Sequence, residues 1–89
     1  MRVATEIRRR LAPLQPDRIE LIDESARHAG HAGARPQGES HFHLLIVADA
    51  FNGRSRIERQ RMVYGALGDL MQTDVHALSI RALTPAEDT

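Results

Sequence analysis

Eighty-nine residues suffice for one small domain with a modest core. Twelve acidic groups balance twelve basic ones, and every base is Arg, so no net field draws the chain to nucleic acid or membrane. The absence of Cys excludes disulfides, thiolate nucleophiles and a self-sufficient thiolate cluster site, and no apolar run approaches the roughly 20 residues that span a bilayer. With no signal-peptide core in the first residues, a soluble cytoplasmic domain is expected.

Val3, Ile7, Leu11 and Leu14 recur at helical spacing and predict an amphipathic helix that Pro13 and Pro16 end. Arg8, Arg9 and Arg10 crowd its other side, most simply as a solvated face. Asp17 to Asp23 reads as an edge strand, with Ile19 and Leu21 inward, Arg18 and Glu20 outward, and Ile22 breaking the alternation. Residues 25–40 contain no apolar side chain larger than Ala and predict a mobile loop carrying His28 and His31.

The run from His41 to Ala48 has apolar residues on both faces of an extended chain, the pattern of a central strand buried on both sides. It should pair antiparallel with 17–23 and, through a helical crossover, parallel with a third strand over 77–83. The crossover helix spans Ser55 to Met71 on a stripe of Ile57, Val63, Tyr64, Leu67, Leu70 and Met71. Ser55 and Glu58 form the capping-box pattern. Gly65-Ala-Leu-Gly68 spells the GxxG with which KH domains clamp a nucleic-acid backbone, but its middle pair is apolar. A continuous helix with closely packing glycines accounts for it better. Thr84-Pro85 should end the fold, with residues 86–89 frayed.

Arg54, Arg56, Arg59 and Arg61 crowd the first turns of the second helix, the positive end of its dipole, and form a candidate anion or phosphate surface. No nucleophile elbow, phosphate loop or dinucleotide fingerprint is present, which argues against an enzyme. Five histidines without a cysteine are the unusual feature. His41 and His43 share a face and read as a polar strand entry. His76 opens the last strand, and one loop histidine could join it in space. Two imidazoles do not complete a structural zinc site, which wants four ligands. They would fill half of a shared site, as the two histidines on one iron do in a Rieske-type [2Fe–2S] centre.

Four blocks resemble the BolA family in order and spacing: Asp23-Glu-Ser-Ala-Arg-His28, Glu39-Ser-His-Phe42, Phe51-Asn-Gly-Arg-Ser55 followed by Arg59-Gln-Arg61 and Val63, and Val75-His-Ala-Leu-Ser79 running to Leu83-Thr-Pro85. The resemblance implies an α/β fold like a class II KH domain, α-β-β-α-β, with a three-stranded mixed sheet and the helices on one side. It implies a single domain over residues 1–89, monomeric when alone. It further implies a non-enzymatic partner of monothiol glutaredoxins of the CGFS type. The two proteins would share a glutathione-bound [2Fe–2S] cluster in iron–sulfur trafficking or iron sensing, with glutathione on the glutaredoxin side. The family's ligand positions fall on His76 and on His28, with His31 as the rival loop ligand. The family usually carries His where this chain has Gln60, so any role of that histidine is not implied here. Some bacterial relatives are DNA-binding regulators of morphology and stress genes. By that likeness Arg54, Arg56, Arg59 and Arg61 would bind DNA weakly and in a salt-sensitive way.

Overall fold

A computed structural model of the chain describes residues 2–24, 41–73, 75 and 77–88. The chain runs α1 (Arg2–Leu11), β1 (Arg18–Asp23), β2 (His41–Val47), α2 (Arg56–Leu67) and β3 (Ala77–Leu83), with short 3-10 turns between and after these elements. The α-β-β-α-β expectation holds. β2 is central, antiparallel to β1 and parallel to β3, in the order β1-β2-β3. The expected loop over 25–40 lies outside the described residues.

The core sits between one face of the sheet and both helices. Val3, Ile7 and Leu11 of α1 and Val63 and Leu67 of α2 bury against Phe42, Leu44 and Ile46 of β2, with Phe51, Leu70 and Val75 closing the edges. Ile19 and Leu21 of β1 and Leu78, Ile80 and Ala82 of β3 extend the same face in register. The expectation of a β2 buried on both faces is corrected. On the face away from the helices His43 is exposed and Leu45 half-buried, and only Val47 is buried, because both helices pack on the other side. Pairing on both edges makes a strand central, but covering both faces needs a third layer, and the described residues supply none.

α2 starts as its capping box requires. Ser55 accepts from the Glu58 N–H, and the Glu58 side chain accepts from the Ser55 N–H at 2.8 Å. The expected single stripe along α2 is also corrected. Val63 and Leu67 face the core, whereas Ile57 and Tyr64 are 64% and 39% exposed. Residues seven apart share a helical face, so Ile57 and Tyr64 form a second, outward stripe. Nor is the helix continuous to Met71. Gly68 adopts φ 58°, where a side chain would be strained, so α2 stops at Leu67 and a 3-10 turn follows. A Cβ at Gly65 would meet nothing within 4 Å, so Gly65 does not serve close packing, whereas one at Gly68 would lie 3.4 Å from Arg10 Nη1.

Arg10 is no part of a solvated face. It donates to the Leu67 carbonyl at 2.8 Å and to Asp69 at 2.6 Å, placing a cation at the negative end of α2. The tail does not fray over 86–88 either. Pro85–Asp88 forms a 3-10 turn, with Thr84 and Glu87 capping one another reciprocally. No helix among the described residues is long and apolar enough to cross a membrane.

Candidate functional site

The candidate cluster ligands His28, His31 and His76 lie outside the described residues. Their flanking residues do not. The segment 25–40 leaves the sheet after Glu24 and re-enters at His41, and the Glu24 N–H donates to the His41 carbonyl at 2.7 Å. His41 is in turn the register partner of Ala77, the residue after His76. On the other side of His76, Val75 is buried at 1% exposure. The described residues flanking both histidine-bearing stretches, Glu24, His41 and Ala77, therefore meet at one end of the sheet.

That end carries a shallow concavity of about 220 Å³ lined by Glu24, His41, Phe42, His43, Ala77 and Ser79. His43 is half-exposed, its Nε2 3.5 Å from Glu24 Oε1. His41 and His43 share the open sheet face, consistent with a polar strand entry. Among the described residues no group of three or more His, Asp or Glu side chains could hold a metal ion. The chain has no cysteine, so any iron–sulfur cluster held here would need its thiolates from elsewhere.

The arginines expected to act together divide into two kinds. Arg59 is largely buried and fully engaged. It donates to the carbonyls of Arg54 and Ala82, each at 3.0 Å, and pairs with Glu87 at 2.7 Å. The guanidinium of Arg59, helped by the Thr84 N–H, holds the Glu87 carboxyl down at about 2. Arg54, Arg56 and Arg61 are exposed, and among the described residues their side chains make no hydrogen bond or ion pair. The Glu58 carboxyl is lowered chiefly by the Ser55 backbone N–H it accepts from, with Arg54 and Arg61 adding to the effect.

Arg54, Arg56, Arg59 and Gln60 form one wall of a concavity of about 670 Å³. Ile80 to Leu83 of β3 form the other, and Glu87 closes one side. Sequence reasoning missed Arg81, which lies across the sheet from the helical run and had no local motif to mark it. It also missed Glu87. Thr84-Pro-Ala-Glu87 repeats the Ser/Thr-x-x-Glu pattern read at Ser55, with Pro at the first helical position, and that signal was available.

The family model for BolA-like protein matches residues 11–87. The chain is 44% identical over 91 residues to the SufE-like protein 1, chloroplastic/mitochondrial, of Arabidopsis thaliana, an alignment covering 98% of this chain and 24% of that protein. It is 41% identical over 76 residues to the DNA-binding transcriptional regulator BolA of Escherichia coli (strain K12), covering 85% of this chain and 69% of the relative. The chain spans less than half the length of the first curated relatives it matches, 24% and 48% of them. The solved BolA domain of SufE1 from Arabidopsis thaliana superposes with a TM-score of 0.82 at 44% identity, covering 98% of this chain and 96% of that one. Sequence likeness along nearly the whole chain and a shared backbone lead to one conclusion: the chain belongs to the BolA-like family.

Proposed function

We propose that this chain is a non-enzymatic partner of a monothiol glutaredoxin of the CGFS type, sharing a [2Fe–2S] cluster with it in iron–sulfur trafficking or iron sensing. The observation that supports the reading is that Glu24, His41 and Ala77, which flank the stretches containing His28, His31 and His76 in sequence, meet at one end of the sheet. His76 and His28, with His31 as the alternative, would supply neutral imidazole nitrogens. The partner would supply the thiolates that this chain lacks, with glutathione on its side. When bound, the cluster would supply electron-transfer or delivery chemistry, while this chain would present ligands and shape the contact.

The test is to mix the chain with a cluster-loaded monothiol glutaredoxin and record visible absorption and circular dichroism. A spectrum changed at equimolar chain, with co-elution of both proteins, is expected. A spectrum identical to that of the glutaredoxin alone would sink the reading.

A second reading, DNA binding, is favoured by one observation: Arg54 and Arg56 stand exposed along one concavity at the start of α2, with Arg61 exposed further along the helix. Arg59 is withdrawn from that surface by Glu87. Binding through so few phosphate contacts should be weak and largely electrostatic, so it should be lost as salt rises. Duplex affinity that survives high salt and the Arg54→Ala and Arg56→Ala substitutions would instead favour a specific regulator.

A further inference from the structure

Among the described residues the strand order leaves β3 as an edge. The bond from the Ala48 N–H to the Leu83 carbonyl, 3.0 Å, fixes the parity of the parallel ladder. Ala77, Ser79, Arg81 and Leu83 turn their backbone groups toward β2, and Leu78, Ile80 and Ala82 turn theirs away. Arg59 follows this parity, since it takes the outward carbonyl of Ala82. Among the described residues nothing bonds to the backbone of Ile80, one position upstream in the same outward row.

The concavity of about 670 Å³ runs along this part of the edge. It is lined by four arginines against one glutamate, Arg54, Arg56 and Arg59 on the helix side and Arg81 on the strand. That glutamate, Glu87, is a carboxylate carried on a polypeptide backbone and held against the edge by Arg59. The chain's own tail thus samples the chemistry that the edge accepts.

We propose that the outer edge of β3 is a docking site for an extended acidic segment of a protein partner. The segment adds as a fourth strand beside Ile80, its backbone completing the open ladder. Its alternating side chains lay carboxylates on Arg81 toward the open sheet face and on Arg54 and Arg56 toward the helix. A nucleic-acid backbone matches the charge but has no N–H and C=O ladder to offer Ile80. A small anion uses the arginines and leaves the strand edge unsatisfied. The site goes beyond the glutaredoxin reading and stands whether or not that reading holds.

The experiment titrates the isotope-labelled full chain with a short peptide alternating Glu and Val. Its Lys–Val counterpart, inorganic phosphate and a DNA duplex are titrated in parallel, with amide exchange read residue by residue. The acidic peptide should bind saturably and slow exchange at Ile80. Arg56→Glu and Arg81→Glu, both exposed positions outside the core, should each weaken it at least tenfold while leaving the far-ultraviolet circular dichroism unchanged. Three outcomes overturn the proposal: no binding of the acidic peptide, binding without protection of Ile80, or equal binding of the Lys–Val peptide, phosphate or duplex. The first would mean that the arginines only guard the edge against self-association.

Discussion

Arg59 and Glu87, 28 residues apart in the chain, meet at 2.7 Å and fasten the tail to both α2 and the edge of β3. The same guanidinium bonds the Ala82 carbonyl, so one side chain joins helix, strand and terminal turn. A charge held this way by backbone acceptors is a fixed structural group rather than a free binder. The Glu87 carboxyl lies at about 2 when folded, against an ordinary 4.5. A depressed acid stabilises the fold fully above its unfolded value, and the contribution is lost as pH falls toward the folded one. Stability should therefore decline between about pH 4.5 and about pH 2, and Arg59→Ala should flatten that decline. Acid titration of thermal midpoints checks this, with Arg81→Ala as the control expected to keep the wild-type slope.

Arg10 and Gly68 end α2 together. Gly68 supplies the φ of 58° that stops the helix, and Arg10 occupies the Leu67 carbonyl thus exposed. Gly68→Ala puts a side chain in a region that L residues rarely enter and should cost about 1–3 kcal/mol by denaturant unfolding. Arg10→Ala should lower the thermal midpoint more than Arg9→Ala. Among the described residues Arg9 reaches only Glu6, which Arg10 also pairs.

Where a residue's role depends on its neighbours in sequence, it was legible. The strand order, the pairing directions, the capping box at Ser55 and the first-helix stripe all follow from local period and turn chemistry. What escaped depends on distance. Arg10 reads as a solvated base until Leu67 comes within reach, and Arg59 reads as one of four equal arginines until Glu87 folds back onto it. Ile57 and Tyr64 share their helix with a buried stripe, and period alone does not tell which of two apolar faces meets the sheet. Of the ligand set, only the flanking residues can be compared with the sequence reading.

The central strand should be the last to open. Ile46 and Leu44 are almost wholly buried and lie on a strand paired along both edges. Their amides should exchange at the global unfolding rate, slower than those of β1 and β3. Ile46→Ala removes fully buried methyl groups from the layer between sheet and helices and should cost about 2–5 kcal/mol. Hydrogen exchange and urea unfolding measure the two. Faster exchange at Leu44 and Ile46 than along β1 would overturn the assignment of β2 as the folding core.

The histidines give the prediction with the most at stake. A cluster bridging to a chain without thiolates must use imidazole, carboxylate or another non-thiol donor from it. The residues flanking the two histidine-bearing stretches meet at the sheet end where His41 and Ala77 pair. His76→Ala should therefore abolish the imidazole-ligated spectrum of the heterodimer with a monothiol glutaredoxin. His28→Ala should weaken it and leave a remainder that the double substitution with His31→Ala removes. His41→Ala and His43→Ala should leave it intact, because His41 serves the strand pairing and His43 faces out beside Glu24. Imidazole ligates as the neutral base, so protons compete with iron and acidification should release the cluster. Raising the pH again with the glutaredoxin present should restore it. Visible circular dichroism of each variant complex reads all of these, and a spectrum unaltered by His76→Ala would end the ligand assignment, leaving at most a contact between the apo proteins.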